Sequence, residues 1–165
     1  MATPTTLPAS FTAGQVLTAA QMNDLRGAFR VLQVVQATHS TATTSTSTSY
    51  VTTGLTATIT PSSTTSKVLI LVTMPARNQN NTGTGIYTIF RGTVAGTNLF
   101  GAPGFAHVYG DPITRATVAG NYLDSPSTTS AQTYTVGMKT DSATSAVYAQ
   151  ESSTTSTITL LEISA

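Results

Sequence analysis

Lys67-Val-Leu-Ile-Leu-Val-Thr-Met74 decides the fold. It is a short run of β-branched and aliphatic residues, and Pro61-Ser-Ser-Thr-Thr-Ser66 directly before it is a turn by composition. Val, Ile and Thr suit a pleated sheet better than a helix, so this run is expected to be a central strand. Its apolar core, Val68 to Val72, is too short to cross a bilayer as a helix.

The rest of the chain repeats this pattern at intervals of about ten residues, with turn signals between the runs. Upstream, Val31–Thr38 is expected to begin the β body. Thr41 to Ser49 is a Thr/Ser tract read as a solvated loop or edge strand, and Tyr50–Thr53 and Thr56–Thr60 are read as short strands flanking Gly54. Downstream, Asn78 to Gly85 is a hairpin loop by composition, Ile86–Arg91 returns, and Gly92 to Gly96 turns before a short strand at Thr97–Phe100. A Gly-rich stretch, Gly101–Gly110, precedes strands at Ile113–Val118 and Asn121–Leu123. Gln132–Lys139 and Ala146–Ala149 form a hairpin across Thr140–Ser145, and Thr157–Ile163 closes the sheet. Eight to ten short strands at this spacing predict an all-β, jelly-roll-like β sandwich over 31–165. No internal repeat is evident, which disfavours a solenoid or propeller.

Composition agrees with that fold. The chain has 165 residues, enough for one domain with a sizeable core. Thr and Ser make up about a third of it, and charged residues only 8%. The net charge is +1, and the seven Lys and Arg are scattered without a basic stripe, so no nucleic-acid partner is expected. With no Cys there is neither a disulfide framework nor a thiolate metal site. Residues 1–10 lack a basic region ahead of an apolar core, so no secretory signal and no membrane insertion are expected. So little charge protects weakly against association, which makes an oligomer or a larger particle a consistent setting.

The N-terminal 30 residues differ from the body. Residues 1–17, with Pro4 and Pro8, read as an extended arm, and a short α-helix is expected after them. Thr18 and Gln21 have the spacing of a capping box, with Leu17 and Met22 placed as a hydrophobic staple. Met22, Leu25, Phe29 and Leu32 recur at helical spacing as one apolar stripe. A cap contributes about 1 kcal/mol, too little to hold so short a helix alone, so the helix must dock. It could pack on its own β body, bundle with sister chains, or dock on another protein. The stripe spans barely one and a half heptads, so docking combined with contact between sister chains is the expected use.

The segment Phe11-Thr-Ala-Gly-Gln-Val-Leu-Thr-Ala-Ala-Gln-Met-Asn23 resembles the N-terminal segment of many small virion proteins of tailed bacteriophages, the tail fibre, minor tail and head fibre proteins. Val34-Val35 ahead of a Thr/Ser tract, Ile59-Thr-Pro-Ser62, Ser66-Lys-Val68 and Thr157-Ile-Thr-Leu-Leu-Glu-Ile163 are similar to the β-rich heads of such fibres. The resemblance implies a structural protein of the virion. It implies a homotrimer whose residues 1–30 anchor it to other virion proteins, with Phe11, Leu17, Thr18, Gln21, Met22, Leu25 and Phe29 as assembly residues. The expected role is a tail or baseplate fibre whose β body contacts host-surface carbohydrate or protein. The alternative is a capsid decoration or head fibre protein that stabilises or crowns the shell.

Catalytic chemistry finds little support. His107 lies four residues before Asp111, the arrangement of a base with an orienting acid, yet no Gly-x-Ser-x-Gly elbow occurs. His39 has no acidic neighbour in sequence and reads as a structural or surface residue. The six acids are isolated singles, without the close spacing a calcium loop needs, and nothing pairs two of them for glycoside hydrolysis. A His on a trimer axis could supply three nitrogens to a metal, but no His-x-His pattern favours this. The expectation is no enzyme, no metal and no cofactor. The best binding candidate is Gly101–Gly110, where Phe105, His107 and Tyr109 alternate and would share one face if extended. The competing use of that face is packing into the core or against a neighbouring subunit.

Overall fold

The computed structural model describes residues 14, 16, 18, 19, 31–79, 83–110 and 113–164. Among the described residues, eleven strands form two antiparallel sheets: β1 (Val31–His39), β2 (Thr43–Ser45), β3 (Val51–Ile59), β4 (Lys67–Gln79), β5 (Thr84–Arg91), β6 (Thr97–Asn98), β7 (Ala106–Tyr109), β8 (Ile113–Asp124), β9 (Gln132–Thr140), β10 (Ala146–Ala149) and β11 (Ser156–Ile163). One 3-10 turn, Glu151–Ser153, separates β10 from β11.

The pairing is nested. β1 pairs β11, β3 pairs β9, β4 pairs β8, and β5 pairs β7. β10 and β11 lie end to end along one edge of β4, with β2 and β1 outside them. β6 and β7 likewise share one edge of β5. The first sheet therefore runs β2/β1, β10/β11, β4, β8, and the second runs β3, β9, β5, β6/β7. Eight strand positions paired first with last and inward from there make a sandwich with jelly-roll order.

The core lies between the sheets. In β4, Val68, Ile70, Val72, Met74 and Ala76 are buried in strict alternation; Ile158 and Leu160 of β11 and Leu55, Ala57 and Ile59 of β3 repeat this. β9 and β5 add Tyr134, Val136, Met138, Tyr87 and Ile89. Thr and Ser line the outer faces, where their hydroxyls pair across strands, as Thr58 does with Thr133 at 2.8 Å.

Several expected boundaries shift. Leu32, expected on the helical stripe, belongs to β1; of the expected helix only Thr18 and Ala19 fall within the described residues. Tyr50–Thr53 and Thr56–Thr60 merge into β3, which bulges between Thr52 and Thr56. Gly54 in that bulge has φ +82, and a Cβ there would lie 2.3 Å from His39 Nε2, so only glycine lets the His39 ring close over the strand. Ile113–Val118 and Asn121–Leu123 are likewise one strand, β8, because its whole length pairs with β4. β4 continues through Asn78, which is buried: its amide donates to the carbonyls of Gly83 (2.6 Å) and Val108 (2.9 Å), and its oxygen accepts from Ser145 Oγ (2.6 Å). β6 keeps only Thr97 and Asn98 of the expected strand, and β7 arises inside the Gly-rich stretch.

The sandwich has two unlike ends. Val31 begins β1 at the same end as Ile163 finishes β11, since the two residues pair. The opposite end gathers the loops around Ser47, Gly83, Gly110 and Asp141, tied by Thr140 N to Ser47 O (2.9 Å), Gly110 N to Gly83 O (3.1 Å) and Asp141 N to Thr84 O (3.2 Å).

Candidate binding surface

β7 is the outer strand of the second sheet beside β5, and its register places each side chain of the expected binding stretch. Gly104 has φ +69, and a Cβ there would strike the Tyr87 carbonyl oxygen at 2.3 Å. Glycine thus lets Phe105 N reach that oxygen at 2.9 Å and start the strand. Phe105 itself precedes β7 and is half-buried. Its ring lies on Gly120, 5.4 Å from Phe100, which in turn stacks edge-on with Tyr122 at 5.3 Å. Phe105 is therefore a packing residue that fixes β7 against β8.

His107 and Tyr109 point outward and are exposed, Tyr109 at 61%. His107 Nε2 contacts the carbonyl of Pro103. Residues directly opposite in a sheet share a face. His107 is opposite Ile86, and Ile86 is opposite Lys139, so these three form one row on the outer face; Tyr109 and Thr84 form the next. Lys139 Nζ lies 4.7 Å from the centre of the Tyr50 ring, and Tyr50 packs edge-on against Phe90 at 5.2 Å while its hydroxyl donates to Ala102 O at 3.1 Å. Tyr50 and Lys139 thus join the surface, a grouping no sequence spacing announces. The result is two aromatic rings with a cation, an imidazole and hydroxyls among them, suited to stacking on a sugar ring and bonding its substituents.

The outer face of the first sheet carries a charged cluster. Glu151 pairs with Arg77 and, through both oxygens, with Arg115 at 2.9 and 3.3 Å. Arg77 also lies 4.1 Å over the Tyr148 ring. The Arg115 hydrogen bond holds the Glu151 carboxyl below its ordinary range; burial opposes it and Arg77 adds to the lowering. Beside the cluster is an open cleft of about 300 Å3, lined by Pro75, Arg115, Thr117, Glu151, Ser152 and Thr154. Gln150, Ser152 and Ser153 around it all have φ between +54 and +59, a conformation costly for residues with a Cβ.

The other described acids hold the fold. Asp124 accepts from the Tyr134 hydroxyl at 2.8 Å and lies 3.4 Å from Arg91 Nε. Asp141 accepts from Thr84 N at 2.6 Å. Glu162 is buried under Ser62 and Gln33. Among the described residues, no group of three or more His, Asp or Glu side chains could hold a metal ion, and no helix is long and apolar enough to cross a membrane. Asp24 and Asp111 lie outside the described residues, as do the assembly residues Phe11, Leu17, Gln21, Met22, Leu25 and Phe29.

The chain is thus a jelly-roll β sandwich with aromatic and cationic side chains on the outer face of its second sheet. No protein-family model matches the chain, and no curated protein is significantly similar to it.

Proposed function

We propose that this chain is a non-enzymatic structural protein of a bacteriophage virion, a small trimeric tail or baseplate fibre. Residues 1–30 anchor it to other virion proteins, and the β body contacts the host surface. The observation that carries this reading is the polarity of the sandwich. The N-terminal arm joins at Val31, and the loops near Ser47, Gly83, Gly110 and Asp141 stand at the opposite end. Tyr109, at the end of β7, lies next to those loops, with His107, Tyr50 and Lys139 alongside. Anchoring through the arm turns this end away from the particle, where loops and exposed aromatics make contacts. A trimer presents three such surfaces at once, so a single-site affinity of about millimolar suffices through avidity. The acids of the described residues support the non-enzymatic part, since Asp124, Asp141, Glu151 and Glu162 each hold structural partners.

The test is the copy number of the chain per intact particle, by quantitative mass spectrometry against the major capsid protein. A handful of trimers supports the tail fibre. Tens of trimers or more replaces it with a capsid decoration or head fibre protein, and absence from purified particles overturns the virion role.

A further inference from the structure

The cleft beside Glu151 is made by an interruption in the first sheet. β10 ends at Ala149, opposite Ala76 of β4, and β11 resumes the pairing at Thr157, opposite Thr73. β4 covers the gap with Met74 and Pro75 alone, whereas the other side has the seven residues from Gln150 to Ser156. Pro75 stops the ladder there: it has no N–H to give, and its carbonyl accepts from Gln150 N at 3.1 Å. The surplus residues leave the sheet as a raised turn, in which Gln150, Ser152 and Ser153 take φ of +54, +57 and +59. Strained backbone of this kind collects at ligand-binding turns. The turn carries Glu151 over β4, where its carboxylate meets Arg77 of β4 and Arg115 of β8. The cleft of about 300 Å3 lies between the turn, Pro75 and Thr117.

We propose that this cleft binds one pyranose ring of a neutral saccharide, with Arg115 and Glu151 holding two adjacent ring hydroxyls. Arg115 donates to Glu151 through Nε and Nη2, so Nη1 is left to donate to a ligand, on a side chain 64% exposed. Glu151 Oε1 accepts from both arginines. Among the described residues, Oε2 accepts from Arg115 Nε alone and keeps a lone pair for a hydroxyl proton. A fixed donor beside a fixed acceptor matches two neighbouring hydroxyls, each of which both donates and accepts. The ion pair also selects the charge of the ligand. Glu151 already neutralises Arg115, and its carboxylate repels an anion at the cleft. Arg77, the second cation, is committed to Glu151, Gln79 and the Tyr148 ring. The Pro75 ring offers apolar surface to the C–H face of a sugar, and Ser152 and Thr154 bring further hydroxyls. The volume is at the lower end for small-ligand sites and suits one ring rather than a chain of them. This site is on the first sheet, apart from the Tyr50–Lys139 surface on the second, and its test needs no particle.

The isotope-labelled full-length protein is titrated with glucose, galactose, mannose, rhamnose and N-acetylglucosamine, and separately with glucuronate, and followed by NMR. The Arg115 Nε–H signal is assigned by its loss in Arg115→Lys. The expected result is a saturable shift of this signal by at least one neutral sugar, with a Kd of about millimolar, while the Arg91 signal stays still. Two variants are checked for a cooperative thermal transition and titrated with the same sugar. Glu151→Gln removes the charged acceptor, and Thr117→Phe fills the cleft and leaves the ion pair in place. Each is expected to weaken binding about tenfold or more. No shift with any of the neutral sugars overturns the proposal. Saturation by glucuronate alone overturns the neutral ligand in favour of an anion site, and a Kd unchanged in either folded variant overturns the cleft as the place of binding.

Discussion

Replacing Glu162 by Gln removes a carboxylate that the sandwich buries completely. One oxygen accepts from Ser62 N and Ser62 Oγ, both at 2.7 Å, and the other from Gln33 Nε2 at 2.6 Å. Gln33 Nε2 also donates to Thr60 O at 2.7 Å, so the carboxylate ties β1, β11 and the 60–66 turn into one knot. Burial pushes the Glu162 pKa up, but hydrogen bonds from Ser62, Ser66 and Gln33 outweigh it and bring the value down to about 2. Relative to the ordinary 4.5, the difference of about 2.5 units corresponds to about 3 kcal/mol of stability. Because the folded pKa is depressed, this contribution is complete above about pH 4.5 and is lost as pH falls towards about 2. Glu162→Gln keeps the volume and loses the charge, and the NH2 group that replaces one of the two oxygens meets donors at either Ser62 or Gln33. The expected destabilisation is about 3 kcal/mol at neutral pH, shrinking towards zero near pH 2, because protonated Glu162 resembles the variant. Urea titrations of both proteins from pH 7 down to pH 2.5, followed by far-UV circular dichroism, measure the difference. Other acids titrate equally in both chains and cancel. A gap that stays constant across this range, or a variant as stable as the parent at pH 7, would rule out a buried Glu162 anion as its source.

Gly54→Ala places a Cβ at φ +82 and against the His39 ring, so a loss of about 1–3 kcal/mol is expected in denaturant midpoints; adding His39→Ala restores only the part due to the clash. Tyr134→Phe takes the hydroxyl donor from the buried Asp124 carboxylate and is expected to cost about 1.5–3 kcal/mol, read from the same titrations. Burial raises the pKa of both Tyr87 and Tyr134, and Asp124 raises Tyr134 further. The raised values favour the neutral form, so this stability is intact below about pH 10 and declines above it. Absorbance at alkaline pH is expected to show these two of the six tyrosines ionising only as the fold opens. Tyr109→Ala combined with Lys139→Ala is expected to leave stability within about 0.5 kcal/mol and to weaken adsorption to host cells about tenfold or more; unchanged adsorption removes this face from the contact.

Local periodicity made much of the fold legible. Lys67–Met74 and Thr157–Ile163 read as strands because one face of each is buried, and that burial selects apolar residues at every second position. β8 read less clearly: it presents Thr114, Ala116, Gly120 and Tyr122 alongside Val118, and its length comes from pairing with β4 rather than from its own pattern. β7 was hidden because glycines signal turns, whereas Gly104 in fact lets the backbone approach Tyr87. Of the expected binding residues, His107 and Tyr109 emerge exposed on one face, while Phe105 turns into the Phe100–Tyr122 cluster. Alternation alone does not reveal which residue starts the strand.

Neighbouring residues suffice to show that the body is built of strands, roughly where its turns fall, and that it carries little charge. Each of these follows from residues within a few positions of one another. The nested strand order and the approach of Lys139 to the Tyr50 ring come from long-range packing. It also decided that Glu162 is a buried anion, since Ser62, its chief donor, stands 100 residues away in the chain. Contacts of that range are selected by closing one sheet over another, and no local pattern of side chains encodes which distant donor will arrive.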